Sequence, residues 1–203
     1  MSDVAVTKDP IPSPGDAALV ARLGRRSIVL VGMMGAGKSS VGRRLATRLG
    51  IPFVDADSEI EIAANMSIPD IFASKGEAYF RAGEARVIAR LLEQGPQVLA
   101  TGGGAFMNPD TRALVRTKGL SVWLKAELEV LLKRVKRRSD RPLLKDGHPA
   151  ETLSRLMGER YPVYAEADLT VLSRDVAHDS IVDDIAKGLV PLLEAGAGQE
   201  MTS

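Results

Sequence analysis

Short apolar runs of three to five residues punctuate this chain, and between them apolar positions return every three or four residues. The runs read as strands at Ser27–Val31, Pro52–Val54, Gln97–Ala100, Leu120–Leu124 and Leu169–Leu172, apolar throughout as doubly buried parallel strands should be. The intervening periodicity reads as helices. One runs from Lys38 to about Leu49 and is stopped by Gly50 and Pro52. Others cover about Ser58–Asn65, Pro69–Lys75, Glu77–Leu92, Glu127–Arg137, Glu151–Glu166 and Ser180–Glu194. Asn108-Pro109 opens a further helix, with Asn108 as cap and Pro109 in the first turn, and Gly119 closes it. Strand–helix alternation predicts an α/β fold, a five-stranded parallel sheet flanked by helices, within one domain over residues 25–194. Residues 1–24, with acids and three prolines, read as a flexible extension without a signal-peptide core, and 195–203 as a flexible tail.

Composition narrows the possibilities. A chain of 203 residues with 45% hydrophobic and 26% charged content suits one globular core. A formal net charge of +1 argues against a general nucleic-acid binder, and no apolar run approaches membrane-spanning length. The absence of cysteine excludes disulfides and thiolate chemistry and fits a reducing cytoplasm.

Candidate chemistry begins directly after the first strand. Gly32-Met33-Met34-Gly35-Ala36-Gly37-Lys38-Ser39 satisfies every fixed position of the phosphate-binding loop G-x-x-x-x-G-K-[ST], a match with a chance probability of about one per cent in a chain this long. Such a loop points backbone N–H groups and a helix N-terminus at phosphates, here through Gly35, Ala36, Gly37, Lys38, Ser39 and Ser40. Lys38 reaches the β- and γ-phosphates of ATP, and the Ser39 hydroxyl suits Mg²⁺, which prefers hard oxygen ligands.

In open parallel sheets ligands bind beyond the carboxyl ends of strands. The second predicted strand ends in Asp55-Ala56-Asp57 and the third in Thr101-Gly102-Gly103-Gly104. Because the third offers no carboxylate, Asp55 is the candidate to act on the metal with Ser39. Asp57 either accepts a proton from an attacking hydroxyl or merely caps the next helix. Arg81 and Glu84, three apart on a helix, form either a carboxylate-binding arginine with its orienting acid or a solvated surface pair. The basic run ending Arg138-Ser139-Asp140-Arg141 begins on a helix end, where Lys133, Arg134, Lys136 and Arg137 complement the dipole. Arg141, in the loop beyond, suits the charge of a moving phosphoryl group. Arg160 precedes Pro162, and neither His148 nor His178 has a partner pattern.

Taken together, the loop, Phe53 to Asp57, Gly76 to Glu84, Thr101 to Gly104, Arg141-Pro142-Leu143-Leu144 and Glu159-Arg160-Tyr161-Pro162 resemble, in order and spacing, the segments of the shikimate kinases over about residues 25–190. The resemblance implies a P-loop, nucleoside-monophosphate-kinase-like core with a lid at about 138–150 and ATP-dependent phosphorylation of the shikimate 3-hydroxyl. It implies that Asp57 holds the acceptor hydroxyls, Arg81 and Arg160 bind its carboxylate with Gly102, Gly103 and Gly104 beside them, and Glu84 orients Arg81. It also implies Mg²⁺ at Ser39 and Asp55, lid arginine Arg141 over the phosphates, and Arg138 and Arg174 flanking adenine. ATP and shikimate are the expected partners of a monomer in the cytoplasm. Two alternatives stand beside it: a related kinase for gluconate, and a P-loop switch without catalysis.

Overall fold

The computed structural model describes residues 12–136 and 148–199, the last four as backbone. Among them five strands, β1 (Ser27–Val31), β2 (Phe53–Asp55), β3 (Val98–Ala100), β4 (Gly119–Lys125) and β5 (Leu169–Leu172), pair in parallel in the order β2-β3-β1-β4-β5. β1 is buried along its whole length, as its unbroken run Ser27-Ile28-Val29-Leu30-Val31 requires of a central strand. The two edge strands depart from the doubly buried expectation. β2 is half-buried throughout, and Thr170 and Leu172 of β5 face solvent, because an edge strand has cover on one side only.

Helices α1 (Pro14–Leu23), α2 (Lys38–Leu49), α3 (Ala56–Ala64), α4 (Ile68–Lys75), α5 (Glu77–Gln94), α6 (Pro109–Lys118), α7 (Leu128–Val135), α8 (Pro149–Tyr164) and α9 (His178–Gln199) surround the sheet, with a 3₁₀ turn at Ala105–Met107. The chain leaves central β1 toward the β2 edge, returns through β3 beside β1, then crosses to β4 on the other side. The strand order therefore reverses at β1, which is where such sheets bind ligands.

Of the extension expected to be flexible, residues 1–11 lie outside the described residues, while Pro14–Leu23 form a helix. Ser13 caps α1, accepting from the Asp16 amide at 3.2 Å and donating to Asp16 Oδ2 at 2.6 Å, and Pro14 starts the first turn. Leu19 and Leu23, one turn apart, are buried in the core. Arg48 of α2 then joins three helices, reaching Asp16 Oδ1 at 2.9 Å and Asp183 of α9 at 2.5 Å. Burial works against the Arg48 charge, but the two carboxylates outweigh it and raise its proton affinity. At the other end α9 runs on through Gln199 rather than ending near Glu194. Its turns are already anchored by buried Leu189 and Leu193, so each further residue pays only a propagation cost.

Burying two leucines contributes about 1.5–3 kcal/mol each before the ordering of the helix is subtracted. Deleting residues 1–24 should therefore lower the melting temperature by roughly 5–10 °C. Leu23→Ala in the full chain should account for a substantial share of that shift; melting temperatures unchanged in both proteins would show that α1 contributes nothing to the core.

Candidate active site

The phosphate loop follows β1 and depends on three glycines with positive φ, the first being Gly32 at 136°. Gly35 stands at 82° and Gly37 at 93°, conformations that side-chain-bearing residues rarely adopt. Gly37 also occupies the N-cap of α2 with no side-chain cap, so the first-turn amides are left to face a ligand. The Lys38 ammonium donates to the Gly32 and Met33 carbonyls at 2.7 and 3.0 Å, keeping the charge against the loop.

The loop is also held from behind. Arg134 of α7 donates to the carbonyls of Gly35 and Ala36 at 3.3 and 3.5 Å, to Ser173 Oγ at 2.8 Å and to the Arg174 carbonyl at 2.6 Å. Ser173 Oγ in turn donates to the Ala36 carbonyl at 2.7 Å. Arg134 is therefore more than the helix-end cation the sequence suggested, and its burial lowers its proton affinity. Arg174, expected beside adenine, lies on the exposed turn after β5, and its guanidinium binds Asp184 of α9 at 2.6 Å. Arg138 and Arg141 lie outside the described residues.

A cavity of about 400 Å³ opens in front of the loop, lined by Gly35, Gly37, Lys38, Ser39 and Ser40, by Asp55 and Asp57 after β2, and by Thr101, Gly102 and Gly103 after β3. Its far end is closed by Arg134, Val135, Asp175, Val176 and His178, none of which the sequence singled out for this place. Burial and the Arg44 and Arg134 charges hold His178 below the ordinary imidazole range.

Asp55, rather than Asp57, caps α3. Asp55 Oδ1 accepts from the Asp57 amide at 3.1 Å, and Oδ2 accepts from the Ser39 hydroxyl at 2.7 Å. Asp57 is therefore not the cap: it stands inside the first turn with its side chain exposed and lines the cavity. Ser39 and Asp55 present two oxygens at one point, a donor set that fits a hard divalent ion completing its shell with phosphate and water.

Beyond Asp57 the charged side chains close over a glycine floor. A Cβ on Gly102 would fall 2.7 Å from Glu84 Oε1 and 2.9 Å from Asp57 Oδ1. On Gly103 it would meet Arg160 Nη1 at 3.2 Å, and on Gly104 it would strike Arg81 Nη1 at 2.4 Å. The floor thus brings together four groups from three helices, α3, α5 and α8. Arg81 donates to Glu84 at 2.7 Å, with the Glu84 side chain 3% exposed, and to Glu77 at 3.2 Å. A solvated surface pair would not be buried in this way. Burial raises the Glu84 carboxyl above the ordinary range; the Arg81 bond opposes this and the Asp57 charge adds to it. Burial acts against the Arg81 charge, but Glu84 and Glu77 overcome it, so the guanidinium stays charged.

Comparisons with known proteins bear on this arrangement. The family model for shikimate kinase matches residues 34–190. A shikimate kinase from Rhodopseudomonas palustris is 59% identical over 199 residues, covering 98% of each chain, and one from Bradyrhizobium diazoefficiens is 59% identical over 189 residues, covering 93% of this chain and 90% of that one. Among solved structures, the shikimate kinase from Acinetobacter baumannii in complex with shikimate superimposes with a TM-score of 0.77 at 37% identity, over 88% of this chain and 98% of that one. A gluconokinase from Sinorhizobium meliloti shares the fold, with a TM-score of 0.61 at 21% identity over 86% of this chain and 97% of that one. A phosphate loop facing a carboxylate and two arginines is thus set in a chain that belongs to the shikimate kinase family, small-molecule kinases that transfer phosphate to a hydroxyl of shikimate.

Proposed function

We propose that this chain phosphorylates the 3-hydroxyl of shikimate at the expense of MgATP, the fifth step toward chorismate, with the residues of the glycine floor selecting the acceptor. The observation that carries this reading is the convergence of Arg81 and Arg160 over Gly103 and Gly104, next to Asp57 and facing the loop. Two guanidiniums separated by glycines form a site for one carboxylate, because each can offer a forked pair of N–H donors and no Cβ intrudes. An acceptor without a carboxylate would leave the donors that this pair turns to the site without an anion, a cost that disfavours it.

The chemistry follows from positions. Backbone amides of Gly35, Ala36 and Gly37, with Lys38, Ser39 and Ser40, cradle the phosphates, and Ser39 and Asp55 would hold the metal, which would offset phosphate charge. Asp57 takes the proton of the acceptor hydroxyl. The hydroxyl oxygen bonds to the γ-phosphorus as the bond to the departing ADP oxygen breaks, and Lys38 offsets the charge that builds there. Arg141 is assigned to the same developing charge by its Arg-Pro-Leu-Leu motif. Glu84 holds the Arg81 fork in its pose.

A coupled assay with shikimate, gluconate and AMP as acceptors tests the reading. ADP release with shikimate, abolished by EDTA and restored by Mg²⁺, is expected, whereas comparable turnover of gluconate or AMP would overturn it.

Asp57→Asn should lower kcat by on the order of 10²-fold or more. Because Asp55 supplies the cap, the melting temperature should stay within about 2 °C of wild type, and turnover within a few-fold of wild type would remove Asp57 from the chemistry.

Glu84 generates a test with a sign. The folded chain holds its carboxyl above the ordinary range, so over that interval the native state binds a proton the unfolded chain has released, and stability from this group falls as pH rises. Glu84→Gln should therefore gain stability relative to wild type between about pH 4 and pH 7, while its KM for shikimate rises as Arg81 loses its charged partner. Melts at both pH values check this; a difference growing in favour of wild type at pH 7 would contradict it.

A further inference from the structure

Helix α8 carries one side chain whose polar end is sealed from solvent and turned toward the acceptor half of the site. Tyr164, its last residue, is completely buried, and its hydroxyl donates to the carbonyl oxygen of Gly103. The Arg160 guanidinium faces the same glycine, its Nη1 3.2 Å from where a Gly103 Cβ would stand, and its charge acts on the phenol against the effect of burial. One hydroxyl has one proton and two lone pairs, so donation to Gly103 leaves an acceptor site free for the arginine. The ring is fixed by its neighbours: Trp123 of β4 lies 5.9 Å away and Tyr161, one turn back, 6.2 Å. Trp123 and Tyr161 themselves meet edge-on at 4.9 Å.

We infer that Tyr164 is a positioning residue for acceptor binding, its hydroxyl setting both the reach of the Arg160 fork and the plane of the Gly103–Gly104 peptide. The inference rests on the assignment of Arg160 to the acceptor carboxylate. In a trans peptide the carbonyl and the next amide point in opposite directions, so pinning the Gly103 carbonyl to Tyr164 turns the Gly104 amide away from the tyrosine. Arg160, half-buried, would otherwise keep several rotamers, and losing that freedom on binding costs affinity. A buried phenol held at Gly103 beside the guanidinium limits those rotamers before the ligand arrives and removes part of this cost. The phenol touches no reacting atom; it acts through Arg160 and the glycine floor.

Tyr161 provides a control within the same helix and ring cluster. Its hydroxyl donates to the Ala126 carbonyl after β4, away from the charged groups. Removing either hydroxyl leaves a carbonyl without that partner and keeps the ring, so a merely structural role would move both variants alike.

The experiment uses the full chain. Tyr164→Phe should raise the KM for shikimate roughly tenfold, with the KM for ATP within twofold of wild type, whereas Tyr161→Phe should leave the shikimate KM unchanged. Arg160→Ala should raise the shikimate KM more than either. In Arg160→Ala the further change Tyr164→Phe should add at most a two- to threefold effect, because the tyrosine no longer has its arginine to place. Calorimetric titration of shikimate into each variant gives the same ranking as Kd, with the stoichiometry counting folded chains only. An unchanged shikimate affinity in Tyr164→Phe, an equal rise in ATP KM, an equal effect of Tyr161→Phe, or full additivity with Arg160→Ala would overturn the inference while leaving the function intact. If Arg160→Ala itself left shikimate affinity unchanged, the carboxylate assignment and this inference would both fall.

Discussion

The register of three adjacent parallel strands is the constraint on which the site depends. Val98 pairs with both Ile28 and Phe53, so Leu30 of β1, Ala100 of β3 and Asp55 of β2 stand in one row across the sheet. The phosphate loop, the glycine run and the Asp55–Asp57 turn therefore leave the sheet at nearly the same level. Thr101 secures the join, its amide and hydroxyl both donating to the Leu30 carbonyl at 3.2 and 3.0 Å. Because a parallel ladder points all carboxyl ends one way, three segments far apart in sequence meet without any of them being long. A slip of one residue in β2 would reverse the faces of Asp55 and its neighbours and remove the Ser39 partner.

On that frame the charges divide by environment. Arg22–Glu194, with both side chains about half exposed, is the kind of pair worth under about 1 kcal/mol. The Arg81–Glu84 pair is different, because Glu84 has lost its water and one of its oxygens has no hydrogen-bond partner among the described residues. Such a carboxylate is tolerated only beside a cation, and it fixes that cation in return. The position of Arg81 is thus bought with the desolvation of Glu84, an arrangement that makes sense where orientation matters more than stability.

How much of this was legible in the sequence follows from how local each signal is. The phosphate loop could be read because its function is written in backbone conformation, and glycine spacing records that directly. The floor at Gly102 to Gly104 could be located at a strand end, but the side chains that forbid a Cβ there come from three other segments. Asp55 and Asp57 could not be separated by type, since both are good caps; only the turn geometry decides which carboxylate meets the Asp57 amide. Arg134 looked like any cation in the last turn of a helix, and its real partners, the Gly35 and Ala36 carbonyls, lie about a hundred residues away in sequence. The Arg174 pairing was equally out of reach, because Asp184 sits on a separate element, helix α9. Helix α1 did announce itself, through Ser13-Pro14, Asp16 and the Leu19/Leu23 pair. Ten residues of weak periodicity among prolines carry little weight until α2 and α9 are there to receive them.

The two halves of the cavity are held by different means, and this has consequences for how acceptor choice can diverge. The phosphate half is fixed by backbone: positive-φ glycines, the uncapped start of α2, and carbonyls braced by Arg134 and Ser173. Substitutions there disturb the loop itself. The other half is fixed by side chains on α3, α5 and α8 that meet over glycines, so its lining is set by residues that belong to neither the sheet nor the loop. A gluconokinase shares this fold at 21% identity, and a fold alone does not fix an acceptor. The glycines are what link the halves: a side chain at Gly102 would collide with Asp57 and Glu84 together, so neither carboxylate can keep its place if that position gains a Cβ.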